Sequence, residues 1–220
     1  MSQNPNNKKT HKDRHHNNHK RHHGHNRQNN INKNKNEVVK EENKIVKEEK
    51  KVVKKPVVVN DESIYTRNLE PLEEGYRLPA MTLFNSEEEE FNLNDDKNIK
   101  VYITIPTFSN KVFPNEVHKL ETILKEFSSV NAYLISNEPV YTQMRLSKPY
   151  HFEKIRILSD FKNREFARNT GTYIYELSLL VKSIFIVDKS DRILYVRYFD
   201  DLYSNFDLNE INKTLTSIFE

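Results

Sequence analysis

The run Ile157–Tyr198, ILSDFKNREFARNTGTYIYELSLLVKSIFIVDKSDRILYVRY, decides how this chain folds. Its second half holds two apolar stretches, Ser183–Val187 and Ile193–Tyr198, separated by Asp188-Lys189-Ser190-Asp191. β-Branched and aromatic residues on either side of a short polar turn predict a β-hairpin. The first half reads differently. Ser159-Asp160 provides side chains that start helices and Gly171 a residue that stops them, so a helix is expected between them.

Upstream, Ile99–Ile105 and Ala132–Ser136 are continuous apolar runs, the pattern of buried parallel strands. Between them Pro114 opens a segment with Val117, Leu120, Ile123, Leu124 and Phe127 on one helical face, and His118, Lys119, Glu121 and Lys125 are expected to face away. Strand, helix and strand make one crossover unit. Another helix is expected after Glu138-Pro139, and a last one carries Leu208, Ile211, Leu215 and Ile218 at helical spacing. The class is α/β, and one domain accounts for this length.

Several segments also resemble the bacterial thiol peroxidases, the atypical two-cysteine peroxiredoxins. Leu158–Lys162 resembles that family's Leu-Ser-Asp-aromatic-Arg run and Thr170-Gly171 its Tyr-Gly segment. Leu179–Ser183 resembles its Leu-Leu-Ala-Arg-(Ala/Ser), and Phe185–Asp188 its Phe-Val-Ile-Asp strand. Gly75–Leu83 is similar to the Gly-x-x-Ala-Pro-x-Phe-x-Leu opening, and Tyr141–Arg145 to a Phe-Ala-Gln-x-Arg helix. The similarity runs in order over about residues 63–220. It implies a thioredoxin-like (peroxiredoxin) sandwich, a central mixed sheet flanked by helices, and the homodimers common in the family, for which Tyr173, Tyr175, Tyr198, Phe199 and Tyr203 are candidate exposed surface aromatics or else ordinary strand residues.

The chemistry of that family needs a thiolate, which attacks peroxide, becomes a sulfenic acid and is restored through a disulfide. This chain has no cysteine at all. The family's Pro-x-x-x-Thr-x-x-Cys loop aligns with Pro106–Phe113, so Pro106 is kept, Asn110 stands at the threonine and Phe113 at the nucleophile. The resolving cysteine falls on Ser147, and the arginine of the Ser-Asp-aromatic-Arg run on Lys162, with Arg164 two residues on. Met81 and Met144 form sulfoxides at most and replace no thiolate. No catalytic residue and no cofactor are therefore expected. Two readings of Phe113 stand: it fills the volume left by cysteine and threonine, or Phe108 and Phe113 over Lys162 and Arg164 form an aromatic and cationic pocket for a ligand or a partner carboxylate. Rebuilt chemistry from Ser109, Ser147, His151 and Lys162 would need a nucleophile, base and orienting group, and no recognisable spacing joins them. His118 and His151, isolated on this half, read as solvated.

Residues 1–60 are a different polymer, rich in Asn, Lys and His and then in Val, Lys and Glu, too polar to bury a core and expected to be a disordered tail with a charged linker. Lys and Arg against Asp and Glu give 16 − 6 = +10 there and 19 − 26 = −7 for residues 61–220, so the formal net charge of +3 conceals two opposite halves. A basic arm of this kind suits contact with nucleic acid or another polyanion. His11, His15, His16, His19, His22, His23 and His25 suit weak, shifting metal contacts rather than a defined centre. Val38-Val39, Ile45-Val46 and Val52-Val53 repeat at seven-residue spacing, too narrow a stripe for a coiled coil, and Val57-Val58-Val59 reads as the start of order. No apolar stretch suggests a signal peptide or membrane span, so a cytoplasmic location is expected.

Three functions follow: an interaction or dimerisation module that has kept the fold, with an unidentified protein partner; an arm that binds metal or nucleic acid on a carrier domain; and, from overall similarity alone, a thiol peroxidase.

Overall fold

The computed structural model describes residues 56–59 and 63–220, with side chains from Thr66 onward. The histidine-rich run and the seven-residue repeat lie outside the described residues. Along the chain the elements are β1 (Pro56–Val59), β2 (Ser63–Thr66), β3 (Thr82–Phe84), β4 (Glu90–Asn92), β5 (Ile99–Thr104), α1 (Val112–Leu124), β6 (Val130–Ser136) and α2 (Val140–Ser147). They continue with β7 (Ile155–Ser159), α3 (Glu165–Thr170), β8 (Tyr173–Ile174), β9 (Leu179–Leu180), β10 (Ser183–Val187), β11 (Ile193–Tyr198) and α4 (Leu208–Phe219). β1 pairs with β2 as an antiparallel hairpin, which takes in the three-valine run, and β8 pairs with β9.

The remaining strands form one mixed sheet ordered β11-β10-β5-β6-β7-β3-β4. β5 and β6 are parallel neighbours, as expected of apolar runs joined by a helix, and β7, not read as a strand from the sequence, pairs parallel on the other side of β6. β10 and β11 form the expected antiparallel hairpin and dock through β10 on β5. Every residue of β5 is buried, because helices or loops cover both faces. Ile99, Val101 and Ile103 point into a core shared with Val117, Leu120 and Leu124 of α1 and Ile211 and Leu215 of α4. Tyr102 points the other way, into a core with Tyr133, Leu158, Phe166 and Phe185. The two-residue period of the strand thus builds a three-layer sandwich.

Local chemistry sets the helix ends. Asp207 caps α4 by accepting from the Glu210 amide at 2.9 Å. α3 ends at Gly171, whose φ of +69° is left-handed and whose added Cβ would stand 2.8 Å from the carbonyl oxygen of Glu70. Backbone twist and close approach both require glycine there.

Two expectations are corrected. Glu121 does not face away: its carboxylate is buried and accepts from the backbone amides of Glu153 and Lys154, both at 2.7 Å, fastening α1 to the chain entering β7. Residues 117, 120, 121 and 124 share one helical stripe, so Glu121 borders the core face, and the amides opposite it decide that its carboxylate turns inward. Of the aromatics expected at an exposed surface, Tyr173 and Phe199 are buried and Tyr198 is half-buried, donating to the Thr170 carbonyl at 2.5 Å. Only Tyr175 and Tyr203 are exposed, at 49% and 42%.

Candidate functional site: a filled nucleophile loop

The loop that would carry the nucleophile joins β5 to α1. Pro106 is buried at its start. Glu138, just beyond the end of β6, holds the next turn: Oε1 accepts from the Thr107 hydroxyl at 2.8 Å and Oε2 from the Phe108 amide at 3.0 Å. Asn110, at the family's threonine position, takes over the helix start. Its Oδ1 accepts from the Val112 amide at 3.1 Å, and its Nδ2 donates to the Tyr203 hydroxyl at 3.4 Å. An amide side chain therefore occupies one of the open donors that would otherwise be available to an anion at the head of α1.

Phe113 follows in the first turn of α1. It is 3% exposed, belongs to the main core and stacks on Tyr203 with ring centroids 5.7 Å apart. Phe108 joins the same core at 2% exposure. Both rings are packing rather than lining, which supports the first of the two readings of Phe113. The alternative pocket does not form, because its cations point elsewhere. Lys162 Nζ lies 4.5 Å from the centre of the Phe84 ring, and Arg164 stacks on Tyr173 and donates to its hydroxyl at 3.0 Å.

Sequence reasoning missed the strongest polar feature here. One turn after Phe113, Glu116 enters the interior and meets Lys182 from the Leu-Leu-Val-Lys-Ser run, Oε2 to Nζ 2.5 Å. Lys182 Nζ also donates to the Ser204 carbonyl and stands 4.3 Å and 4.8 Å from the ring centres of Phe206 and Phe199. Glu116 Oε1 accepts from the Phe206 amide. Burial lowers the Lys182 ammonium from its ordinary pKa, while Glu116 pulls it back up. The pair ties α1 to the segment leading into α4. The signal was available in two places: Glu116 shares the stripe of residues 113, 117 and 120, and Lys182 interrupts an apolar run.

Ser147, which the sequence motif matches to a resolving cysteine, is in a different setting. At the end of α2, it lines an open cleft of about 790 Å³ together with Met144, His151 and residues of β7. His118 is exposed on α1, with Nδ1 3.6 Å from Glu121, and His151 has a left-handed backbone at φ 47°. Among the described residues Ser109, Ser147, His151 and Lys162 share no hydrogen bond. No group of three or more His, Asp or Glu residues is placed to hold a metal, and no helix is long and apolar enough to cross a membrane, again among the described residues.

At the head of α1, then, stands a hydrogen-bonded, hydrocarbon-filled loop over a buried ion pair. Comparison with known proteins places this arrangement. Residues 75–196 match the AhpC/TSA family. The thiol peroxidase of Clostridium acetobutylicum is 31% identical over 135 residues, 60% of this chain and 82% of that protein. That of Bacillus subtilis is 28% identical over 125 residues, 56% and 75% of the two chains. Among solved structures, a peroxiredoxin-like protein from Aquifex aeolicus superposes with a TM-score of 0.68 at 21% identity, covering 74% of this chain and 96% of that one. A thiol peroxidase from Chromobacterium violaceum gives 0.67 at 17% identity, with 74% and 97% covered. With the loop, the sheet order and these similarities in agreement, the chain belongs to the AhpC/TSA family and, within it, to the thiol peroxidase group of peroxiredoxins.

Proposed function

We propose that this protein is a peroxiredoxin-fold pseudoenzyme whose folded part, drawn from composition as residues 61–220 with the β1–β2 hairpin at its edge, acts as an interaction or dimerisation module. The observation that carries the reading is the burial of Phe113 at the nucleophile position in a chain without cysteine. A phenyl ring held in the core offers neither a leaving proton nor a redox-active electron pair, and Ser147 at the resolving position cannot form a disulfide. Pro106, Asn110, Phe113, Ser147 and Lys162 are read as remnants of the family site, now structural. The test is peroxide consumption by the purified chain with thioredoxin or dithiothreitol. No turnover above a boiled control is expected, and reproducible turnover would refute the reading.

A second reading has one observation in its favour, the +10 and −7 charges of residues 1–60 and 61–220. The basic arm then binds a polyanion such as RNA, or a divalent metal through its seven clustered histidines, with the domain as carrier. Affinity purification from the native host, comparing the full chain with a version beginning at Lys51, separates the two. Partners retained without the arm favour the module; partners lost with it favour the arm. Titrating zinc and a generic RNA into both versions identifies which ligand the arm takes.

A further inference from the structure

The sheet has an opening beside β7. β3 pairs with that strand antiparallel at a single position, Phe84 opposite Ser159, and the chain then turns through Asn85 and Ser86 into β4. Between this departing chain and the end of α2 lies the 790 Å³ cleft, whose walls include Ile155, Arg156, Ile157 and Leu158. Successive residues of a strand point to opposite faces. A cleft that touches four in a row therefore looks onto the edge of the strand, not onto one face of the sheet. The other edge of the same residues is occupied by β6, paired from Ala132 opposite Ile155 to Ser136 opposite Ser159.

The opening has the chemistry of a strand site. Phe91 from β4 and Met144 from α2 make apolar sides. Lys148 and Arg156 are exposed at its margin, neither has a carboxylate partner among the described residues, and no acidic side chain lines the cleft. The Ile155 amide is already donated to Glu121 Oε1 at 3.3 Å; the rest of this edge, which no strand pairs before Ser159, offers backbone groups to an extended chain, and flanking pockets and charges select its side chains.

We propose that this opening receives an extended peptide segment of a partner protein, which adds to the outer edge of β7 and presents carboxylates to Lys148 and Arg156. The proposal rests on the interaction-module reading and supplies its surface.

The test uses the full chain and a fluorescein-labelled peptide of about seven alternating glutamate and valine residues, followed by fluorescence anisotropy. Saturable binding is expected, with slowed amide exchange within Ile155–Leu158. A lysine–valine peptide, and a glutamate–valine peptide N-methylated on alternate amides, should each bind roughly tenfold or more weakly. Lys148→Glu combined with Arg156→Glu should cause a similar loss with circular dichroism unchanged, since both side chains are exposed. Absence of saturable binding up to about 1 mM, or equal binding by the N-methylated peptide, overturns the proposal. Self-association of the chain that the peptide dissolves would assign the opening to a second copy and overturn the partner assignment. A host partner that binds the double variant as well as the parent keeps the module reading and removes only this surface.

Discussion

The two positions that the sequence motifs match to the family's cysteines lie in opposite surroundings. Phe113, at the head of α1, is buried in the core, stacked on Tyr203 and followed by the Glu116–Lys182 pair. Ser147, at the end of α2, sits half-buried on the wall of an open cleft. One lies in the interior and the other at a surface. The two positions are thus under different packing demands. Where the position faces a core, a larger hydrophobe removes a void and is stabilising, by roughly 1.5–3 kcal/mol for a fully buried side chain. Where it faces water, a serine of cysteine's size meets no packing demand.

The sharpest way to break this contrast is Glu116→Ala, which strands a buried ammonium beside two phenyl rings. A loss of about 3–5 kcal/mol is expected in chemical denaturation. Lys182→Met combined with Glu116→Leu should recover most of it, because removing both charges leaves neither unpaired. Phe113→Ala comes next. It vacates a ring contacting Tyr203 and the main core, and should cost about 3–4 kcal/mol by the same measurement. Phe113→Cys should also destabilise, and yield no peroxide turnover with dithiothreitol, since Asn110 and Glu138 still tie the loop internally.

A buried acid on the β7 side sharpens the comparison through pH. Asp160 follows β7 and accepts from the amides of Phe166 and Ala167 at 3.0 Å and 2.7 Å, holding the start of α3. Burial pushes its carboxyl up to about 7, against the downward pull of those amides. The unfolded chain releases this proton near 4. Its contribution to stability is therefore fully present below about pH 4 and is lost as pH rises to about 7, by up to roughly 1.4 kcal/mol per pH unit. Thermal melts across that window should show the decline, and Asp160→Asn should flatten it. The smallest effect belongs to the open side: Ser147→Ala should change stability by less than about 0.5 kcal/mol, and a larger loss would mean that Ser147 is as integrated as Phe113.

Much of the framework was legible because it is local. The hairpin Ser183–Val187 with Ile193–Tyr198 was read with the bounds observed, since alternation and turn residues act within a few positions. The helix ending at Gly171 was legible for the same reason. Glu116, Glu121 and Lys182 were not, because a charge on an apolar stripe is placed inside or outside by what lies across from it. The partner of Glu116 is 66 residues away, and Glu121 is satisfied by amides just ahead of β7. Tyr198 and Phe199 were misplaced at the surface because strand spacing alone does not say which face is covered.

The sequence by itself determined the β5-α1-β6 crossover, the β10–β11 hairpin, the family and the lack of cysteine, since each depends on residue identity and near-neighbour pattern. Only the tertiary structure decided that Phe113 closes into the core while Ser147 borders a cleft, and that β3 leaves β7 after the single pairing of Phe84 with Ser159. Those outcomes depend on contacts between segments far apart in the chain, where packing and desolvation rather than local propensity set the free energy.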